Sequence, residues 1–493
     1  MKQQVTIARE AGFSFAGFVA GQGIRFFFNL VVAKLMGAEY LGVYALSLAV
    51  LQVAEVLAVS GLDLGVLRFV NMQEARSRKR SELVASALKV SLLYSLPVTF
   101  VLLIFSGFLA DVLNGGNLLY LTLVCYACSV PFHVLVAVGG HAVQAYGKLR
   151  PKIIAGQILV PGGMLLLTVL ISLFVGDAPA LLFSLPLSAF AGFAWLWIQL
   201  RRITGISAEE LLHAGADKEM LRYARPLMFV ALAGMVSHWL DILMLGWYTG
   251  PETVGLYQPA ARTAGLMRSV LLAFAGIAAP LFAGMHSRGE MKELEKLFKV
   301  VSRWVVMVSM PLAVLLLVMP ETVLLLFGDA FVVAEPVLVI LVFAVLVQSG
   351  FGLYDTVLQM AGYSRVCFVN NLAGLAVHIV LNMLLIPEFG MNGAATALAA
   401  VYCLLATVRV VEVRTLLGIH AFSIPLFKPL AAGVISGIVL AAASPVFEML
   451  QAPLSLAGGA LLVFAVYLLF IRVMQLEQEE LDVILELFAF VKK

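Results

Sequence analysis

The sequence predicts an all-α polytopic membrane protein of about fourteen transmembrane helices. Composition, run length and charge placement predict it. Of 493 residues, 62% are hydrophobic and 12% are charged, and the mean hydropathy is +1.02. Soluble globular chains are about 45–50% apolar and about 25% charged. A water-facing surface cannot be built from so few charges. In lipid, only helices and closed barrels satisfy every backbone N–H and C=O. The apolar runs are about 20–25 residues long, as a spanning helix requires, whereas a barrel strand needs only ~9–11.

Taken in order, the spans are expected at 11–36, 40–64, 83–109, 118–142, 153–175, 180–200 and 227–249, then at 254–284, 303–327, 333–360, 366–386, 392–413, 427–447 and 454–473. With the N-terminus inside, the inner segments carry Arg76, Arg78, Lys79 and Arg80, then Lys148, Arg150 and Lys152. Further on come Arg201, Arg202, Lys292, Lys296, Lys299, Arg414 and Lys428. The outer loops carry Glu39, Asp111, Asp177, Glu252, Asp329, Glu388 and Glu448, with no Lys or Arg. This asymmetry sets the orientation, with both termini cytoplasmic in a cell (inner) membrane. The first apolar run is too long for a cleavable signal, and Arg25 interrupts it. The outer loops are too short for an extracellular domain.

An internal repeat organises the chain. Gly37-Ala-Glu39-Tyr-Leu-Gly42-Val-Tyr44 and Gly250-Pro-Glu252-Thr-Val-Gly255-Leu-Tyr257 both read G-x-E-x-x-G-x-Y, 213 residues apart. Gln144, Gly147 and Arg150 form Q-x-x-G-x-x-R, repeated 215 residues on by Gln359, Gly362 and Arg365. Two motif pairs at nearly one offset indicate duplication. Six spans per half is an even number, so the halves are expected to share one orientation, related by a pseudo-twofold axis along the membrane normal. The expected domains are a six-helix lobe at 1–200, a cytoplasmic linker at 201–226, a second six-helix lobe at 227–413, and an extra helix pair with an amphipathic tail at 414–493. The motif glycines suit tight turns, the glutamates suit helix N-termini, and Tyr44 and Tyr257 suit the aromatic belt. Ser207-x-x-Glu210 is a candidate capping box in the linker. Residues 286–303 and the tail beyond Arg472 have amphipathic spacing, the latter suited to a cytoplasmic interfacial helix.

No catalytic signature emerges. Cys125 and Cys128 form a C-x-x-C inside a span, where cysteine packs as a small apolar residue. His133, His141 and His378 are isolated, and no metal-ligand spacing, phosphate loop or nucleophile constellation is present. The chain therefore reads as no enzyme, with no cofactor, no metal and no nucleic-acid partner.

What remains is a set of ionisable residues inside spans. Arg25 and Lys34 lie in span 1, and Arg262 and Arg268 in span 8. An arginine at a helix centre costs about 2.5–3.5 kcal/mol on the insertion scale if it faces lipid. Gln22, Arg25 and Asn29 share one helical face. At the repeat offset Arg25 corresponds to His238, which shares a face with Asp241, and Glu55 corresponds to Arg268. Such stripes suit two walls of one cavity, with Asp241 and Glu55 as candidates for ion coupling. They also suit structural ion pairs, Glu55 with Arg25 and Asp241 with Arg268.

The polarity of span 1, the G-x-E-x-x-G-x-Y turn and the Q-x-x-G-x-x-R inner loop resemble the polysaccharide flippases of the multidrug/oligosaccharidyl-lipid/polysaccharide exporter superfamily. The resemblance covers spans 1–12, and the last pair is similar to the extra helices of the fourteen-span branch. It implies movement of an undecaprenyl-diphosphate-linked oligosaccharide from the cytoplasmic to the outer leaflet by alternating access. Implied partners are the lipid-linked sugar and the bilayer, with a coupling proton or sodium ion, a polysaccharide polymerase and glycosyltransferases as candidates. Arginine suits a diphosphate, because its guanidinium offers bidentate bonding. Arg25, Arg268, Arg262, Lys34, Gln22, Asn29 and His238 are the expected substrate-binding residues. Alternatives are a lipid II flippase, a cation-coupled multidrug exporter, and a non-transporting scaffold of a polysaccharide assembly complex. Sibling drug exporters use acidic residues in their first span; here span 1 has only Glu10, at its cytoplasmic edge.

Overall fold

A computed structural model describes residues 2–74, 77–422 and 424–473, and the predicted tail helix beyond them lies outside the described residues. Described residues form helices and connecting turns, with no strand among them. The order begins α1 (Lys2–Met36), α2 (Ala38–Val59), α3 (Leu62–Asn71), α4 (Arg78–Val112) and α5 (Gly116–Ala145). Then come α6 (Leu149–Ile153), a π-helical turn (Ile154–Leu159), α7 (Val160–Phe174), α8 (Asp177–Thr204) and the short α9 (Ala208–His213). The second half contains α10 (Lys218–Thr249), α11 (Pro251–Ser287), α12 (Met291–Val318), α13 (Pro320–Leu325) and α14 (Glu335–Met360). It ends with α15 (Ser364–Leu417), α16 (Phe427–Glu448) and α17 (Ala452–Val473).

Among the described residues, thirteen helical segments are long and apolar enough to cross a membrane. One of them counts twice. α15 runs for 54 residues, but Gly390 breaks it with φ 54° and ψ −129°. Unbroken, it would reach ~80 Å at 1.5 Å per residue, against a hydrocarbon core of ~30 Å. Gly393 lies so close to the Leu385 carbonyl that a Cβ there would collide with it. The segment is therefore two spans joined by a tight turn, which gives fourteen. The outward surfaces are those of a lipid-soluble protein. On α4, Phe100, Ile104 and Phe108 recur every fourth residue and are 64%, 60% and 62% exposed. Each would cost about 1.5–3 kcal/mol to leave in water.

Contacts divide the chain into two units, Lys2–Gly255 and Leu256–Lys493. By the sequence repeat α10 opens the second half, yet it packs against α2 and α3 and belongs to the first unit. The α3 contact is close: a Cβ on Gly61 would strike the carbonyl oxygen of Ala224. Arg68 stacks 4.3 Å from the ring centre of Tyr223 at the same junction. In the second unit, Phe298 sits edge-on to Phe282 and Tyr354, with centroids 6.0 and 4.8 Å apart. The Tyr354 hydroxyl accepts the Ala421 N–H at 3.1 Å. The C-terminal pair joins this unit through α12, where Gly433 faces Met310 and Gly459 faces Met319.

The repeat motifs have matching geometry. Gly37 and Gly250 end α1 and α10 with φ 87° and 83°. Gly147 and Gly362 end α5 and α14 with φ 73° and 92°, the left-handed region that other residues enter only with strain. In both, the glycine N–H returns to the motif glutamine carbonyl, at 2.8 Å to Gln144 and 3.1 Å to Gln359. The following N–H bonds one residue further back, at 3.1 Å to Val143 and 2.9 Å to Leu358. These paired bonds satisfy the last carbonyls of each helix. The second glycines, Gly42 and Gly255, do something else. A Cβ on Gly42 would collide with the Pro251 carbonyl, and one on Gly255 with the Ala38 carbonyl. The first turns of α2 and α11 thus cross backbone to backbone within the first unit.

One expectation changes and two hold. Tyr44 and Tyr257 are 5% and 2% exposed, so they are interior rather than belt residues. The reason is local: each lies in the second turn of a motif helix whose face is packed, and the Tyr44 ring lies tilted against Phe28 with centroids 4.7 Å apart. The amphipathic spacing within 286–303 holds: its apolar side, Leu294, Leu297 and Val301, is buried in the leading turns of α12. The Ser207–Glu210 capping box is present, with both reciprocal bonds at 3.1 Å.

Candidate substrate-binding residues in the membrane

The polar face of α1 begins with two glycines. Gly17 and Gly21 are spaced as G-x-x-x-G, the pattern that lets membrane helices approach closely. They approach the turn between α6 and α7. A Cβ on Gly17 would overlap Ile153, and one on Gly21 would lie 2.7 Å from Gln157 Oε1. One turn further along the same face is Arg25. Its guanidinium donates to Gln157 Oε1 at 2.8 Å and to the Gly156 carbonyl at 3.4 Å. One turn beyond, Asn29 is 1% exposed and donates through Nδ2 to the Arg25 carbonyl at 2.7 Å. Gln22 lies half-buried on α1, while Lys34 is exposed near its end.

Gln157 and Gly156 belong to the π-helical turn, which interrupts the apolar run of the fifth span. Such turns are rare and concentrate at functional sites. In a low-dielectric setting a hydrogen bond to a charged group contributes about 1.5–3 kcal/mol, comparable with the cost of placing arginine there.

The other predicted residues of the first unit lie on α2 and α10. Glu55 is half-buried on α2. One turn before it, Gln52 accepts the Trp239 indole N–H at 3.0 Å, tying α2 to α10. On α10, Asp241 is 9% exposed and His238 is exposed. Arg262 and Arg268 lie on α11 in the second unit, and both are half-buried.

Sequence reasoning missed two groups. Gln157 is neutral, so a survey of intramembrane charges passes over it; its only local signal is the adjacent Gly156 in an apolar run. The second group clasps the ends of α14 and α15 remote from Gly390. Arg409 lies 3.2 Å from Asp355 and donates to Asn371 at 2.9 Å. Asn370 donates to Glu412 at 2.6 Å, and Gln359 to Asp355 at 2.8 Å. This cluster ties three span ends together. The cysteines are free, and among the described residues no three His, Cys, Asp or Glu are grouped to hold a metal.

The helices and these buried polar groups define a class, the multi-pass helical membrane proteins, and the fold is similar to that of solved membrane transporters. A lipid II flippase, MurJ, in an inward closed conformation matches with TM-score 0.74 at 12% identity, covering 93% of this chain and 97% of that one. An inward-facing multidrug resistance MATE family transporter of the MOP superfamily matches with TM-score 0.67 at 14% identity, covering 80% of this chain and 94% of that one. Within that class the chain belongs to the polysaccharide biosynthesis protein family, whose model matches residues 31–336. A relative from Haloferax volcanii, named as the probable low-salt glycan biosynthesis flippase Agl15, is 23% identical over 398 residues, 80% of each chain. These matches are flippases and transporters rather than enzymes.

Proposed function

We propose that this protein is a flippase moving an anionic lipid-linked oligosaccharide, of the undecaprenyl-diphosphate class, from the cytoplasmic to the outer leaflet for surface polysaccharide synthesis. The observation that carries the reading is Arg25, held inside the first span by the neutral acceptors Gln157 and Gly156. Those bonds orient the guanidinium inside the span. A diphosphate crossing a low-dielectric interior needs such a cation, and the bidentate guanidinium fits its oxygens. Family membership and the flippase named among the relatives support the same direction.

In this reading lobes at 1–200 and 227–413 alternate access to a cationic cavity, and both termini face the cytoplasm. Arg268, Arg262, Gln22, Asn29, His238 and Lys34 are further substrate contacts in this reading. Asp241 and Glu55 serve a coupling proton or sodium ion. The test is removal of the gene. Loss of a surface glycan, with lipid-linked precursor accumulating on the inner leaflet, is expected. An intact glycan with heightened sensitivity to cationic dyes would replace this reading by drug export. Arrest of cell-wall synthesis with lipid II accumulation would replace it by lipid II transport.

A further inference from the structure

We propose that His141 and Asp63 form a proton-binding site for the transport cycle, in which the proton adds to His141 Nε2. This rests on the flippase reading above and commits its coupling ion to a proton.

The two residues meet between α5 and α3. His141 lies one turn before the end of α5, and Asp63 lies in the first turn of α3. His141 Nδ1 is 4.0 Å from Asp63 Oδ2, and both side chains keep part of their surface exposed. The tautomer follows from the other contact of the ring. Nδ1 is 2.9 Å from the Ala137 carbonyl, which can only accept, so Nδ1 carries the ring proton and donates it. Nε2 keeps its lone pair, and it bonds no group among the described residues. A proton arriving there from water forms one N–H bond and breaks none in the protein. The ring becomes a cation facing a carboxylate.

The lysine nearby is held out of the pair. Lys152 on α6 donates to Gln144 Oε1 at 2.6 Å. Among the described residues, only His141 comes within 4.0 Å of Asp63 as a group able to carry positive charge. Asp63 and Lys152 are the charged groups that face the ring. From α4, Arg80 is turned to the Ala145 carbonyl and the Tyr146 ring. α8 carries no ionisable residue between Asp177 and Arg201. On α2, Glu55 lies within electrostatic reach of Asp63, so the pair neighbours a residue named above for ion coupling.

The second copy of the repeat shows a structural tie for comparison. Its motif glutamine, Gln359, again holds a charged neighbour, Asp355, but that carboxylate pairs with Arg409 at 3.2 Å. Arginine stays cationic throughout the physiological range. At the repeat offsets His141, Lys152 and Asp63 correspond to Thr356, Cys367 and Gly276. Histidine is the side chain that changes charge between about pH 5 and about pH 8. The first copy therefore holds a pair whose strength follows the proton, and the second holds a fixed one. Asp63 also shares α3 with Gly61 and Arg68, which touch Ala224 and Tyr223 of α10. Charge gained at His141 thus acts on the helix that meets the start of the second repeat.

The experiment fixes the charge in each state. Wild type, His141→Arg, His141→Gln and Asp63→Asn are expressed in a deletion strain, and surface glycan is measured at equal protein level. The purified proteins are melted, then placed in nanodiscs with isotope-labelled histidine and titrated by NMR from about pH 8 to about pH 5. His141→Gln identifies the resonance. In wild type Nε2 is expected to gain a proton while Nδ1 keeps its own. Asp63→Asn should need about tenfold more acid for the same protonated fraction, since it removes a facing opposite charge. His141→Arg, always charged, and His141→Gln, always neutral, should melt close to wild type. Each should still lose about tenfold or more of export, the scale of one lost charged interaction, because a coupling site must change charge in every cycle. Wild-type export in His141→Arg would make the pair a tie like Asp355–Arg409 and overturn the proposal. So would wild-type export in His141→Gln, or a ring titration that Asp63→Asn leaves unmoved. Should His141→Arg fail to fold, His141→Gln and the titration decide. An intact surface glycan after removal of the gene would overturn the flippase reading and the coupling role with it, whereas the failures named before it overturn this proposal alone.

Discussion

Arg25 and His238 occupy the same position in the two copies of the repeat, yet their settings differ. Arg25 is half-buried, and its guanidinium is bonded to a π-helical turn of the fifth span. His238 is exposed on α10, beside the Trp239 that bonds Gln52. The turns next to them kept one geometry, with Gly37 and Gly250 at φ 87° and 83°. Duplication therefore preserved the backbone turns and let the intramembrane chemistry diverge. The physical cause is the different tolerance of the two. A turn with positive φ, or a crossing with no room for Cβ, admits glycine and little else. A polar side chain in a span is tolerated wherever some partner satisfies it, so its identity is free to change.

The largest expected effect breaks that comparison at its chemical end. Arg25→Ala should lower export by roughly ten- to a hundredfold, the range set by loss of a charged hydrogen bond. His238→Ala should lower it less, measured as surface glycan at equal protein level. An equal loss from both would mean that the two copies had kept equivalent chemistry, and the contrast drawn here would fall.

Next come the crossing glycines, where the copies should agree. Gly42→Leu and Gly255→Leu each drive a side chain into a backbone carbonyl, Pro251 in one case and Ala38 in the other. Because backbone cannot rotate away, each should cost about 3 kcal/mol or more, at the upper end of overpacking effects. The checks are yield of folded protein and detergent melting temperature. A benign substitution at one glycine and a damaging one at the other would show that the crossing is lopsided.

Smaller and again equal effects are expected at the inner turns. Gly147→Ala and Gly362→Ala force a Cβ into the left-handed region and should each cost about 1–2 kcal/mol. Neither Cβ would meet a neighbour within contact distance, so strain alone is being measured. Thermal unfolding in detergent reads both.

The smallest effect belongs to the motif glutamates. Glu39 and Glu252 lie exposed in the first turns of α2 and α11, where a negative charge opposes the positive helix end. Glu39→Gln and Glu252→Gln should each cost about 0.3–1 kcal/mol at low ionic strength, fading as salt is added. A loss that persists in high salt would point to a direct partner instead.

Much of this molecule was legible in one dimension. Apolar run length located the spans, because the thickness of the hydrocarbon core sets a single length for all of them. It even separated the two halves of α15, which Gly390 divides. The face shared by Gln22, Arg25 and Asn29 followed from helical periodicity. The environments of Tyr44 and Tyr257 did not follow, since an amphipathic ring suits a lipid interface and a packed interior equally well in sequence. The Asp355–Arg409 clasp was hidden for a related reason: residues 54 positions apart meet only when three span ends are brought together.

The amino-acid sequence by itself determined the helical class, the number of spans and the turns of the duplication. Each depends on hydropathy, periodicity or backbone geometry, which are local properties of a chain. It also determined that Arg25 lies inside a span. Which residue meets Arg25, only the tertiary structure decided. Gln157 is 132 residues away in sequence and carries no charge to draw attention. It reaches the guanidinium because two glycines let helices touch and one π-helical turn rotates an amide into line, and neither distance nor rotation is written in composition.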